Sequence, residues 1–491
     1  MRLTSILRVL VATVVAAPAA AQTIQVDAAL AAEIDRRTAA IADKVTAWRR
    51  DIHQHPELGY QEVRTAALVA AHLRKLGLEV QERVGGIPGV VGILRGGRPG
   101  PTVALRADMD ALPVTEQVEI PFKSTVRTVY NGQDVGVMHA CGHDTHVAML
   151  MGTAEVLAGL KDRLPGTVRF IFQPAEEVPP RGGALPMIEA GVMDGVDAIF
   201  GIHVGPGKLG ALSWRAGPKQ ASADNWKLIV RGRQGHGAMP ATTVDPIVIG
   251  AQIVGAYQTI ISRQIDLTTS PAVLTVGAFH GGVRENIIPD SVWMIGTVRT
   301  FDETIRSEIH ARMKRIAEGI ATASGATAEL TVVRGYPVTV NNPALVARFL
   351  PTLKRVAGTA GVSEDDLSMP AEDFSRFAEK APGFFLGLGV TPPDLPPEKV
   401  ASNHSPFFQA DDRALPVGVR TLSNLAVDFL RNGGAGKVTP SPAGPRTTHG
   451  SRPRPRRLRR RPPSRRSRCG SSAVTAVRRW PARPRRPPCS G

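Results

Sequence analysis

The chain has 491 residues, of which 43% are hydrophobic, and a formal net charge of +17, and this length predicts two or three domains rather than one core. Residues 437–491 contain 17 basic residues and no acidic residue, so residues 1–436 balance at 43 basic and 43 acidic. A neutral body excludes a strongly basic surface over most of the chain, and we expect no specific nucleic-acid partner.

The first residues have the pattern of a secretory signal peptide. A basic start, an apolar run at 9–16 and small residues before Gln22 predict cleavage after Ala21. This run is too short for a permanent membrane span, and we expect no stable membrane insertion. We therefore expect residues 1–21 to be removed and the protein to be exported, either to the periplasm or out of the cell.

Residues 27–216 are predicted to form the first part of an α/β catalytic domain. Helical periodicity over 27–76 is interrupted at 55–59. Short apolar runs that alternate with helical stretches predict buried strands at 89–94, 102–107, 167–172 and 198–204. The pattern predicts a mixed, mostly parallel sheet with helices on both faces.

The pattern changes over 217–335, where strands at 226–230, 273–278, 291–299 and 328–333 and two long helices at 245–263 and 303–323 predict an inserted α+β domain. Residues 336–433 complete the catalytic domain and end in a helix predicted at 411–431. Residues 434–491, rich in arginine, proline and serine, are expected to be disordered. This tail is either a polycationic arm or a dispensable extension, and its abrupt change of composition favours the second interpretation.

Residues 138–146 bring thiol, imidazole and carboxylate side chains into one short segment, in which Cys141 and His143 are expected to share a loop. Cys141 is the only cysteine before Cys469 and lies between His139 and His143, which disfavours a disulfide and favours a metal site. Histidines also cluster at helix starts for other reasons, so this segment alone favours metal binding only slightly.

Further candidate ligands follow predicted strands. Glu176 and Glu177 come after one strand, His203 ends another, and His404 lies in a later loop. Because the carboxyl ends of strands form the ligand crevice in open α/β sheets, we expect these side chains to meet there. A pair of divalent ions about 3.5–4 Å apart needs ligands from several segments. Taken singly, each side chain is also compatible with an ordinary loop.

A set of motifs between residues 27 and 433 resembles the co-catalytic metal amidohydrolases. This group includes hippurate hydrolase, bacterial N-acyl-amino-acid amidohydrolases and plant auxin-conjugate hydrolases, and it is related to aminoacylase and the zinc exopeptidases. The motifs occur in this order: 53–59 (HQHPELG), 106–113 (RADMDALP), 140–144 (ACGHD), 173–177 (QPAEE), 235–240 (GHGAMP), 286–289 (NIIP) and 372–374 (EDF).

The resemblance implies two divalent metal ions, of zinc, manganese, cobalt or nickel. One thiolate would bridge the ions and four further side chains would complete their shells, the full set being Cys141, His143, Glu177, His203 and His404. Asp110 would orient a histidine ligand by fixing its tautomer. The resemblance also implies that the inserted domain is a lid and a dimerisation domain, so that a homodimer or larger homo-oligomer is expected.

The resemblance further implies the catalytic roles. Glu176 would act first as general base and then as general acid. His236 would polarise the scissile carbonyl, in relatives often from a partner subunit, and Asn286 would contact the substrate carboxylate. The expected small-molecule substrate is an N-acyl or N-aroyl amino acid, such as hippurate or an N-acetyl-amino acid.

Two alternatives remain open from the sequence. One is a dipeptidase or carboxypeptidase on the same scaffold, and the other is a non-catalytic protein that binds metal, or binds polyanions through its basic tail. Pro370 stands where the resembled family has glycine, which leaves the preferred acyl group open.

Overall fold

The computed structural model describes residues 24–434. The expected signal peptide at 1–21 and the predicted tail from 435 onward lie outside the described residues. Within residues 24–434, none of the helices combines the length and the apolar character that crossing a bilayer requires.

The helices of the described residues are Ala28–Ala40 (α1), Ala42–Gln54 (α2), Val63–Lys75 (α3), His143–Ala158 (α4), Ala184–Glu189 (α5), Pro246–Gln264 (α6), Glu303–Ala323 (α7), Pro343–Ala357 (α8), Phe374–Ala378 (α9) and Leu415–Arg431 (α10). The predicted interruption at 55–59 separates α2 from α3. A second break, at Ile41, divides the first predicted helix into α1 and α2.

The strands of the described residues are Glu79–Val84 (β1), Gly89–Arg95 (β2), Arg98–Asp108 (β3), Arg127–Tyr130 (β4), Gln133–Gly136 (β5), Pro165–Gln173 (β6), Ala198–Lys208 (β7), Leu212–Trp214 (β8), Gly217–Gln220 (β9), Asp224–Arg231 (β10), Gly235–His236 (β11), Ala272–Gly281 (β12), Ile287–Ile288 (β13), Ser291–Thr300 (β14), Thr327–Arg334 (β15), Thr339–Asn341 (β16), Val362–Glu364 (β17) and Gly383–Thr391 (β18).

The main sheet has the strand order β1-β2-β6-β3-β7-β18-β8-β17. Its centre is parallel, since β3 pairs in parallel with β6 and β7, and β7 pairs in parallel with β18. Antiparallel pairs occur toward the edges, between β1 and β2, β2 and β6, and β18 and β8. The predicted mixed, mostly parallel sheet is confirmed.

Helices cover both faces of the main sheet, as predicted. On one face α4 is buried almost all round, and Phe200 of β7 packs edge-on against Phe349 of α8 with ring centroids 5.3 Å apart. On the other face Phe374 of α9 stacks on Phe385 of β18 at 4.6 Å. The residues of these two apolar layers are buried, so the sheet is held rigidly between them.

Residues 224–334, called the insert below, form a second and separate apolar core. An antiparallel sheet of order β12-β14-β10-β15 packs one face on α6 and α7. Asp245 and Asp302 cap these helices by accepting hydrogen bonds from the first-turn N–H groups. The strands and helices predicted within 217–335 all occur, with ends that differ by at most three residues. A short ribbon formed by β11 and β13 was not predicted.

Two placements of candidate residues differ from the prediction. His203 does not end its strand, because β7 continues through Gly205-Pro206-Gly207 and pairs along β18 to Lys208. His143 does not share a loop with Cys141 but is the first residue of α4. The continuation of β7 depends on its pairing with β18, and α4 begins directly after the left-handed Gly142.

Candidate metal centre

Cys141 and His143 are brought together by a tight turn at the start of α4. Gly142 precedes the helix in the left-handed region, at φ +88°, which favours glycine. A Cβ on Gly142 would also collide with the side chain of Val204. The glycine therefore allows the thiol and the first imidazole of the helix to lie against β7.

His203 reaches the same place from β7. Its Nδ1 donates a hydrogen bond to the carbonyl oxygen of Val204 at 2.7 Å. With the proton on Nδ1, the lone pair of Nε2 is free, and this atom lies 3.4 Å from the sulfur of Cys141. The imidazole is thus fixed in the tautomer that a metal ligand requires.

Glu176 and Glu177 follow β6, and Asp110 holds their backbone. The N–H groups of Glu176 and Glu177 donate to the two carboxylate oxygens of Asp110 at 3.0 and 2.8 Å. The same carboxylate lies 3.2 Å from Nδ1 of His143. One buried carboxylate therefore positions the carboxyl pair and one imidazole together, and directs Nε2 of His143 toward the cluster.

His404 arrives from the loop before α10. It has φ +70°, a conformation uncommon for a residue with a side chain. Its N–H donates to the carbonyl oxygen of Ala140 at 2.8 Å, and its Nε2 lies 2.8 Å from Oε1 of Glu177. Asn403 ties the loop to Cys141, whose carbonyl oxygen accepts a 2.9 Å hydrogen bond from its amide. The strained backbone is held in place by these contacts.

Among the described residues, five groups of side chains have ligand atoms close enough to hold an ion, and two of these groups overlap and together contain all the candidate ligands. The first comprises Cys141, His143 and His203, and the second Cys141, Glu177 and His404, with the atoms of each group within 4.8 Å of one another. The sulfur belongs to both groups. Nε2 of His143 is buried without a hydrogen-bond partner among the described residues, and such an atom calls for an occupant. Sulfur, imidazole and carboxylate donors suit divalent transition metals, so the residues present fit a pair of ions.

Burial and charge shift the acid–base properties of the cluster. Burial, together with the carboxyls of Glu372 and Glu177, raises the pKa of Glu176 well above its ordinary value. Burial raises the pKa of the Cys141 thiol. Hydrogen bonds to Cys141 and Glu177 raise the pKa of His404 to about 10. Glu176 is thus a buried carboxyl with an increased affinity for protons, a property required of a group that must take up a proton.

The cluster opens into a cavity of about 920 Å³. Cys141, Glu176, Glu177, His203 and His404 all line it, together with strand ends of the main sheet. The structure therefore brings these predicted residues to one solvent-connected pocket, within the size range of small-molecule sites.

The family comparison decides the class of protein. The model of Peptidase family M20/M25/M40 matches residues 104–428. The chain belongs to this family.

Individual relatives agree with this membership. The chain is 46% identical over 394 residues to thermostable carboxypeptidase 2 of Saccharolobus solfataricus, an alignment covering 79% of this chain and 96% of that protein. It is 44% identical over 311 residues to an N-acyl-L-amino acid amidohydrolase of Geobacillus stearothermophilus, an alignment that covers 63% of this chain and 81% of that protein. A solved Bacillus subtilis structure is described as a dinuclear metal-binding peptidase of the M20 family. It is 35% identical to this chain with a TM-score of 0.68, and the match covers 80% of this chain and 99% of that one.

The M20 membership confirms the family resemblance seen in the sequence. The named activities of the relatives are amide and peptide hydrolysis, and the chain is accordingly a hydrolase of linear amides. A non-catalytic protein is therefore the wrong description of the described residues.

Two residues predicted to take part in the reaction do not line the metal-site cavity. His236 of β11 and Asn286, just before β13, are neighbours on the ribbon of the insert, where the N–H of Gly237 donates to the carbonyl oxygen of Asn286 at 2.9 Å. Both residues are exposed. Neither is among the described residues that line the metal-site cavity.

Two buried groups behind the cluster were missed from the sequence. His146 contacts Asp108 through Nδ1 and accepts the N–H of Val204 at 2.9 Å through Nε2, which ties α4 to β7 beside His203. Its position one helical turn after His143 was the available signal. Arg106, also buried, contacts Asp108, Glu372 and Asp373 and compensates their charge. The available signal for Arg106 was a charged side chain within a strand predicted to be buried, since a buried charge needs partners.

Proposed function

We propose that the chain hydrolyses the amide bond of N-acyl or N-aroyl amino acids, hippurate and N-acetyl-amino acids included, with two divalent metal ions. The ions would be held by the two groups that share one sulfur: Cys141, His143, Glu177, His203 and His404. The observation that carries the proposal is this shared sulfur beside a buried carboxyl, Glu176, which belongs to neither of these two groups but lies within 4.8 Å of ligand atoms of His143 and Glu177. When bound, such ions polarise a carbonyl oxygen and lower the pKa of water.

Glu176 supplies the proton transfers. It is 5% exposed and lines the cavity, and its backbone is fixed on both sides, since its N–H donates to Asp110 and its carbonyl oxygen accepts a 2.6 Å hydrogen bond from Tyr336. The raised pKa of Glu176 suits a carboxyl that takes a proton from the attacking water and gives it to the leaving amine.

His236 and Asn286 supply the contacts to substrate. We assign to His236 a hydrogen bond to the oxygen that becomes negative as water attacks, and to Asn286 a contact with the substrate carboxylate. Because both side chains are exposed on the insert, we propose that residues 217–335 form a lid and dimerisation domain, and that the ribbon acts in a homodimer or larger homo-oligomer.

A carboxypeptidase is the second candidate, favoured by the 46% identity to a named carboxypeptidase. Both reactions break an amide bond next to a free carboxylate, so one centre is able to serve both. We further propose export of the protein after removal of residues 1–21, on the pattern of basic, apolar and small residues at its start.

The test is a panel of hippurate, N-acetyl-amino acids, N-blocked peptides and free dipeptides, assayed with metal-loaded wild type and Glu176→Gln. We expect hydrolysis of the acylated amino acids, and a loss of about 10²–10⁴-fold in kcat for Glu176→Gln with its metal content retained. Glu398→Gln, at an exposed position, serves as the matched control and should keep kcat. Near-normal kcat for Glu176→Gln would remove it from the role of base, and hydrolysis of free dipeptides alone would favour a dipeptidase.

A further inference from the structure

The cavity of the metal centre continues beyond the candidate ligands, along β18. Its far part is lined by Ser213 of β8, Lys219 of β9 and Asp365, which follows β17. None of these side chains belongs to the candidate metal ligands or has a role in the proposed proton transfers.

Gly387 of β18 lies between the two parts of the cavity. His203 pairs with Gly387 of β18, and Gly387 pairs with Ser213 on its other side. Paired residues of adjacent strands face the same side of a sheet, and strands are about 4.8 Å apart, so Ser213 lies about 10 Å from His203 across the sheet. A Cβ on Gly387 would collide with Oγ of Ser213. The missing side chain therefore leaves the space that the hydroxyl group of Ser213 occupies beside β18.

The far part of the cavity contains a polar cluster with unused hydrogen-bonding capacity. One carboxylate oxygen of Asp365, Oδ2, accepts from Oγ of Ser213 at 2.9 Å and from the ammonium group of Lys219. Lys219 is 8% exposed. These bonds use one ammonium hydrogen of Lys219 and one carboxylate oxygen of Asp365. The other ammonium hydrogens can still donate and the other carboxylate oxygen can still accept.

The cluster is fixed in position by its backbone. The N–H of Asp365 donates to the carbonyl oxygen of Trp214 at 2.7 Å, and its own carbonyl oxygen accepts from the guanidinium of Arg215 at 2.8 Å. The carbonyl oxygen of Lys219 accepts from the N–H of Ser368 at 3.0 Å. A group held in this way binds a ligand without first being ordered.

The orientation of the substrate rests on the proposed function. Asn286 and His236, assigned to the carboxylate and the scissile carbonyl, lie on the insert and not in the lining of this cavity. The cavity along the main sheet is then left for the acyl side of the scissile bond. An alkyl chain in this position would exclude water from the charged pair without replacing its hydrogen bonds, which is costly.

We propose that Ser213, Lys219 and Asp365 form a subsite for acyl groups that carry a second amide, as N-acylated peptides do. An amide offers one donor and one acceptor, which matches what the cluster leaves unused. The enzyme then removes the last residue of short N-blocked peptides in preference to a plain fatty-acyl group of the same length.

The experiment compares three substrates with the same leaving residue, namely acetyl-phenylalanine, acetylglycylglycyl-phenylalanine and octanoyl-phenylalanine. The last two acyl groups have equal chain length but differ in their amides. Release of phenylalanine gives kcat/KM for each. We expect wild type to prefer the peptidic substrate by about tenfold or more, and Lys219→Met to reduce that ratio about tenfold, the effect of losing a hydrogen bond to a charged group. Lys399→Met, at an exposed lysine, is the matched control and should keep the wild-type ratio.

A second variant keeps the proposal testable if Lys219→Met lowers the thermal unfolding midpoint sharply. Gly387→Ala displaces Oγ of Ser213 from the subsite and should reduce kcat/KM for acetylglycylglycyl-phenylalanine relative to acetyl-phenylalanine, whereas Gly319→Ala, which has open space around it, should not. Ratios that stay at the wild-type value in Lys219→Met and Gly387→Ala, while the substrates are hydrolysed, overturn the subsite alone. Failure of wild type to release phenylalanine from any of the three substrates overturns the proposed function as well.

Discussion

The metal cluster and the ribbon of the insert differ in how firmly the structure holds them. Cys141, His143 and Glu176 are buried, and their segments are fixed by contacts among β6, β7 and α4. His236 lies on the two-residue strand β11 and Asn286 lies just before β13, and both side chains are exposed. We infer that one chain orders the metal-binding half of the site by itself, whereas the substrate-binding half is completed by a bound substrate or by a second chain.

The largest expected effect that separates the two regions comes from His236→Ala. Loss of one donor to a developing oxyanion lowers kcat by about 10²–10³-fold. Because His236 is exposed and does not line the metal-site cavity, the metal content and the thermal unfolding midpoint should remain those of wild type. His280→Ala, at another exposed histidine of the insert, is the matched control. Loss of metal in His236→Ala, or an equal loss of kcat in both variants, would contradict the distinction.

The same variant sharpens the comparison when it is mixed with Glu176→Gln. If the ribbon of one chain serves the metal centre of another, mixed oligomers contain a site with both residues intact. We therefore expect hydrolytic activity to return after the two inactive variants are exchanged into mixed oligomers. Activity that stays absent while mixed oligomers are detected would assign His236 to the site of its own chain.

Asp110→Asn tests the other region of the comparison, the buried metal cluster. Its carboxylate accepts two backbone N–H groups and contacts Nδ1 of His143, and the loss of such an orienting partner lowers metal affinity about 10–100-fold. We expect weaker metal binding by calorimetric titration, with kcat largely recovered at saturating metal. Asp134→Asn, at an exposed aspartate, is the control. Wild-type metal affinity in Asp110→Asn would show that the carboxylate does not position the ligands.

The smallest expected effect concerns the acid stability of the insert. Burial disfavours the charge of Asp224, but Arg306 and His310 outweigh it and hold the pKa of that carboxyl well below its ordinary value. A carboxyl whose pKa is lowered by folding stabilises the folded state at any pH above its unfolded-state pKa of about 4. This stabilisation is lost as the pH falls from that value towards the lower pKa of the folded state. The unfolding midpoint of wild type should therefore fall more steeply than that of Asp224→Asn between about pH 5 and pH 2. Parallel curves would show that Asp224 does not contribute in this way.

The sequence predicted elements with strong periodicity, and it predicted residues that sit beside them. The strand β10 and the helix α7 were predicted nearly to their ends because their apolar residues repeat at the spacing of a strand and of a helix. Glu176 and Glu177 were placed correctly after β6 because the apolar run ends before them.

Features that depend on distant pairing were not predictable in this way. Asp108 and His146 are 38 positions apart, and Arg106 and Glu372 are 266 apart. Periodicity reports which residues are buried but not which of them meet. For the same reason β7 was ended too early, since its continuation to Lys208 depends on pairing with β18, and the two-residue ribbon β11–β13 has no periodicity to detect.

The number of metal ions bound per chain tests the central claim most directly. Metal-free protein titrated with Zn²⁺ or Mn²⁺, followed by elemental analysis, should bind two ions per chain, and Cys141→Ala should weaken the binding of both because the sulfur belongs to both ligand groups. A wild-type protein that binds one ion or none, or a Cys141→Ala variant that binds two ions with wild-type affinity, would contradict the account.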